Sequence, residues 1–166
     1  MTPTCIQPAA QTAIDNFLSA KGRVERALAT TALDRVAWSP SPTSRTPGEI
    51  VAHLAFTFTF TGVTQMLNQP PITMAQFEAG VEGLRAQEGE IKTAEKALDL
   101  LETHGKSYVT WLENLTPEQL ASMVKAPFGE IPLTVAIEIL PGHMSGHASQ
   151  IEYIQTVYGD RSWHVG

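Results

Sequence analysis

In two stretches of the chain the apolar residues recur in alternating steps of three and four. One runs through Ile91, Ala94, Leu98, Leu101, Gly105, Tyr108, Leu112 and Leu115, the other through Ile137, Leu140, Met144, His147, Ile151, Ile154 and Tyr158. That spacing lines residues along one stripe of an α-helix, whereas a half-buried strand needs a period of two. A helix with an apolar stripe must bury it against another layer, so two long segments already demand helical partners.

Partners are present. Ile14, Phe17, Leu18, Val24 and Leu28 predict a first helix over about Gln11 to Ala29. After the turn-rich Trp38-Ser39-Pro40-Ser41-Pro42, the run Thr46-Pro47-Gly48-Glu49 forms a capping box with proline at the first helical position. It predicts a second helix to about Asn68, despite the alternating Phe56-Thr57-Phe58-Thr59-Phe60-Thr61, whose residues favour strands. Pro70 to Gly89 reads as a connection with room for a short helix. The third helix covers 91–115, and Thr116-Pro117-Glu118-Gln119 caps a short one to about Met123. Val124 to Pro132 reads as a turn around Phe128-Gly129-Glu130. The last helix spans about Leu133 to Tyr158, with a kink expected at Pro141. With no convincing strand, the fold class is all-α: a four-helix bundle with long connections, one domain over 1–166 and a core over about 11–159.

Composition narrows the function. The formal net charge of −6 disfavours nucleic acid and anionic lipid as partners. Val51 to Leu67, the most apolar window, is short and polar for a membrane span. Met1 to Ala10 lacks the pattern of a signal peptide, and Cys5, the one cysteine, cannot form an internal disulfide. These features point to a cytoplasmic location. A free reactive thiol at Cys5 is the alternative to an inert one.

The chemistry lies with the five histidines. His143 and His147 stand four apart on the last helix, with Gln150 three residues on, so the two imidazoles share a face and can converge on one ion. The bland alternative is a pair of core histidines bonded to carbonyls. A metal answers the same need by giving both rings a partner. His53, among the apolar residues of the second helix, is the third candidate, and one ligand from that helix with two from the last makes a workable bundle-core site. Spacing alone does not show that the helices meet there. His104 reads as a rim residue and His164 as part of the tail.

In these residues the sequence resembles the DinB-like, or YfiT-like, family of metal-dependent enzymes. The resemblance is carried by Trp38-Ser39-Pro40 before the second helix, by Ile50-Val51-Ala52-His53-Leu54 within it, by the phenylalanine-glycine turn, and by the run His143 to Ile151. It extends from the first helix to Gly159. It implies a four-helix bundle, often homodimeric, holding one divalent transition metal on His53, His143 and His147. Nickel or zinc is the expected ion, with iron or copper as alternatives. Many members carry arginine directly after the second histidine of the pair, where this chain has Ala148.

Three imidazoles leave at least one coordination position open, unlike a closed structural zinc site. Such a site can activate water or a thiol. The expected function is therefore a hydrolase or thiol-dependent transferase acting on a small-molecule substrate, with a thiol among the candidates. Candidate catalytic residues are Gln150, which could orient His147, and Glu49, one turn before His53, whose plainer role is the capping box. Glu138 and Glu152 do not share the histidine face. The alternative is a non-catalytic dimeric binding or stress-response module with a structural metal. A plain bundle with core histidines is the third reading.

Overall fold

A computed structural model describes residues 6–57, 73–126 and 129–164. Cys5, Phe58, Phe60, Phe128 and the second half of the expected second helix lie outside them.

Helix α1 covers Pro8–Ala29, α2 Pro47–Phe56, α3 Met74–Glu88, α4 Ala94–Glu113, α5 Pro117–Leu120 and α6 Leu133–Val157. A two-stranded antiparallel hairpin, β1 Met123–Ala126 and β2 Gly129–Pro132, precedes α6. Helices α1, α2, α4 and α6 form the bundle. Its most extensive packing is α1 on α6, with α2 on α4 next. The core between them holds Phe17, Val24, Leu28, Leu54, Leu101, Leu112, Leu133, Ile137, Met144 and Ile151, all essentially inaccessible to solvent. None of the described helices is long and apolar enough to cross a membrane.

Two expectations need correction. The first is 73–89, read as a connection with at most a short helix. It carries the 15-residue α3, started by a capping box of its own: Thr73 accepts from the Gln76 amide, and Gln76 accepts from the Thr73 amide. Only Leu84 and Glu88 of α3 are buried, so it has almost no apolar stripe to betray it. The second is 123–132, read as a turn in a chain without strands. Val124 and Ala126 point inward there, and Lys125 pairs with Glu130 across the ladder at 3.7 Å. Gly129 at β2's start has φ 134°, a conformation L side chains rarely adopt.

The start of α2 is fixed tightly. Glu49 N–H donates to Thr46 Oγ1 (3.1 Å), and Thr46 N–H donates to Glu49 Oε2 (2.9 Å), completing the capping box. Gly48 donates to Val36 O, and a β-carbon there would sit 3.2 Å from Ile91 O and 3.3 Å from Val36. The absent side chain thus lets α2 begin pressed between two loops, which sets where His53 lies two turns on.

Helix α6 continues through Pro141 from Leu133 to Val157. Proline has no N–H for the carbonyl four residues back, which is Ile137 O. The buried Tyr108 hydroxyl of α4 donates to that carbonyl at 3.3 Å, so a side chain replaces the missing backbone donor. Burial drives the Tyr108 pKa far above its ordinary value, keeping the hydroxyl protonated as a donor.

Candidate metal centre

The buried stripe of α6 runs through Met144, Ala148 and Ile151, so His143 and His147 stand beside the seam rather than on it. They face α2, where His53 lies among Val51, Ala52, Leu54 and Ala55, all inaccessible to solvent. The three rings, each partly exposed, meet in this α2–α6 angle. One nitrogen from each lies within 4.8 Å of those of the other two. His53 Nε2 and His143 Nε2 are 3.2 Å apart, and the ring centroids are 4.4 to 5.4 Å apart.

Hydrogen bonds on the far side of two rings set their tautomers. His53 Nδ1–H donates to Glu88 Oε1 at 2.8 Å, and His147 Nδ1–H donates to Gln150 Oε1 at 2.7 Å. A carboxylate and an amide oxygen can only accept, so Nδ1 carries a proton in both rings, and in the neutral ring the lone pair is then on Nε2. Glu88 is 1% exposed and is held by Arg45, whose Nε donates to Oε2 at 2.6 Å and Nη2 to Oε1 at 3.3 Å. Burial alone would raise the Glu88 carboxyl. Hydrogen bonds from His53 and Arg45, with the Arg45 charge, more than reverse this and keep it below the usual carboxylate range.

The electrostatics favour the neutral form of His143 and His147. Burial, then the charges of His53 and Arg45, lower the His143 pKa. Burial, then the charges of His143 and His53, lower His147 to about 4, with the Gln150 bond opposing them. Neutral rings with bare Nε2 atoms are what a divalent transition metal requires, because only the unprotonated nitrogen can bind. Two nitrogens at ~2.0–2.1 Å from one ion in tetrahedral geometry lie roughly 3.3 Å apart. The 3.2 Å between His53 and His143 matches that separation. The residues present therefore fit a metal. Among the described residues the cluster holds three ligating side chains, not the four of a closed site.

The remaining sequence candidates lie elsewhere. The Glu49 carboxylate is turned to the Thr46 amide and, at 3.6 Å, to Lys92. His104 on α4 packs edge-on to Phe56 (6.2 Å) and is lowered in pKa by burial. His164 bonds Asp160 in the tail at 2.9 Å. Glu138 accepts from Asn16 and Glu152 from Arg23, both tying α1 to α6. Ala148 is fully buried; a guanidinium does reach the outer layer of the centre, but from Arg45. Sequence reasoning missed Glu88 and Arg45. Its available signal was the capping box at Thr73, which opens a helix that ends at Glu88.

A helical bundle with three imidazoles converging between two of its helices defines a class of α-helical proteins with a histidine cluster that fits a metal ion. The chain belongs to the DinB superfamily, whose family model matches residues 16–151. In fold it is similar to YfiT from Bacillus subtilis, described as "a probable metal-dependent hydrolase with an unusual four-helix bundle topology". The TM-score is 0.71 at 17% sequence identity, with 96% of this chain and 94% of that one covered. No curated protein matches the chain.

Proposed function

We propose that this protein is a metal-dependent enzyme, a hydrolase in the first instance, whose divalent ion is held by His53, His143 and His147. The observation that carries the reading is the convergence of three ring nitrogens within 4.8 Å, two of them 3.2 Å apart, with Nδ1 of His53 and of His147 already committed to Glu88 and Gln150. The description of YfiT as a hydrolase supports the reaction class.

A divalent ion held by His53, His143 and His147 would supply Lewis acidity towards a substrate carbonyl, water or a thiol. The chain's own residues do the positioning. Glu88 fixes the His53 ring and supplies the negative charge that makes its Nε2 a better donor. Arg45 holds Glu88 ionised and fixes the carboxylate against the outer face of the His53 ring. Gln150 orients His147, and as an amide it cannot serve as a general base. The thiol-dependent transfer implied by the family resemblance would use the same centre with a thiol nucleophile in place of water. Nickel and zinc both suit three imidazoles, and metal analysis of the purified protein decides between them.

The test is metal content, measured on tag-free protein. Wild type should carry one divalent ion per chain and His143→Ala should lose most of it, while His104→Ala keeps it. Full occupancy in His143→Ala would end the reading. Assays with ester, amide and thiol substrates on the loaded protein then separate hydrolysis from thiol transfer. Strong stabilisation by metal without turnover would favour a structural ion in a binding module instead.

A further inference from the structure

Next to the three imidazoles, along the same α2–α6 seam, the surface opens into a groove of about 520 Å³. Its walls include Thr43, Ser44 and Arg45 from the loop before α2, Arg85 from α3, and Gln150 and Tyr153 from α6, with Ile50 and Ile154 as apolar floor. Among the described residues the lining holds two arginines and no carboxylate, in a chain with 17 acidic and 11 basic residues. A cleft with one sign of charge on low-dielectric walls concentrates counter-ions of the other sign.

The two guanidiniums are placed differently. Arg45 spends two donors on Glu88, out of the five N–H groups a guanidinium carries. Arg85 is exposed and is steadied by donating Nη2–H to Thr43 O at 2.6 Å. Among the described residues it has no carboxylate partner, so its charge is held in place and left for a ligand. None of the three histidines lines the groove, but it adjoins their cluster. Ile50 lies three residues before His53, and Gln150 is at once a groove wall and the partner of His147. One helical turn is about 5.4 Å, so a small molecule spans from groove to imidazoles.

We propose that this groove binds an acidic group, carboxylate or phosphate, of the substrate that reacts at the three imidazoles, with Arg85 as its main contact and Arg45 shared between the anion and Glu88. The substrate role rests on the metal-dependent reading above; anion binding itself needs only the groove. The floor of Ile50 and Ile154 suits an apolar linker between the acidic group and the reacting end, which makes the substrate class a small amphiphilic acid.

The experiment is calorimetric titration of metal-free protein with inorganic phosphate and, separately, with succinate. Saturable binding of at least one anion is expected, weakened about tenfold or more in Arg85→Gln. Arg26→Gln, in a separate cleft, should bind as wild type does. The two titrations tell phosphate from carboxylate. A shift of the Arg85 Nε–H resonance on adding the anion to wild type gives the same answer without a variant. No saturable binding of either anion, or equal binding by Arg85→Gln, overturns the proposal. Loss of metal binding as the reading above defines it would leave an Arg85-dependent anion site standing, so the two failures are distinguishable.

Discussion

Glu88 is the most deeply buried carboxylate described, and both of its partners bear on the metal centre. Glu88→Gln keeps the shape but removes the charge, and it can present an N–H where His53 needs an acceptor. Loss of such an outer partner weakens metal binding about 10–100-fold. Competition against a chromogenic chelator should show that drop, with an unchanged circular dichroism spectrum; wild-type affinity would remove Glu88 from the centre. Position 147 carries a prediction for pH. The ordinary value of a histidine is 6.5 and that of His147 is about 4 in the folded chain. Between these, the unfolded chain takes up a proton here and the folded metal-free chain does not. Stability of the metal-free protein therefore falls as the pH drops from about 6.5 towards 4, and does not change on this account above that window. Denaturation midpoints across the range should fall less for His147→Gln than for wild type. The histidines were readable because their types and spacing are unusual. Glu88 was not, because one glutamate among 17 acidic residues has no local mark until the fold buries it.

At the scale of elements, regular stripes were easy to read and sparse ones were not. The periodicities of 91–115 and 133–158 gave α4 and α6 to within a few residues, because burial on one face imposes the pattern over many turns. Helix α3 buries two residues and each strand has four, too few for a period to emerge. Of the strand-like stretch 56–61, Phe56 ends α2 and Thr57 caps it, and 58–61 fall outside the described residues. Helix α6 carries a prediction of its own. Because Tyr108 serves the carbonyl that Pro141 frees, Tyr108→Phe should cost about 1–3 kcal/mol through an unsatisfied buried acceptor. In a Pro141→Ala background the new N–H can bond Ile137 O, and the same change should cost less. A double-mutant cycle by denaturant unfolding measures the difference. Additive effects would mean that the tyrosine and the proline are not compensating each other.

For the molecule as a whole, the two α6 histidines and the single α2 histidine lie about 90 positions apart in the chain. An ion shared between them binds the folded state and has little grip on the unfolded one. Free ion at about a thousandfold above the dissociation constant would add ~4 kcal/mol. Thermal unfolding should accordingly move upward with added zinc or nickel and return on chelation, with no such movement in His143→Ala. A wild-type midpoint indifferent to both ions would contradict the metal-dependent reading.

Helix α3 offers few apolar contacts, yet at its end Glu88 reaches inward to His53 and Arg45, while Arg85 grips the neighbouring loop. A segment fastened chiefly at one end opens more readily than the bundle it leans on. Loading the centre stiffens the ring that Glu88 holds, so backbone amide exchange should slow over residues 84–88, in a segment that supplies no ligand. In a deuterium-exchange experiment, α3 would then report whether the centre is filled.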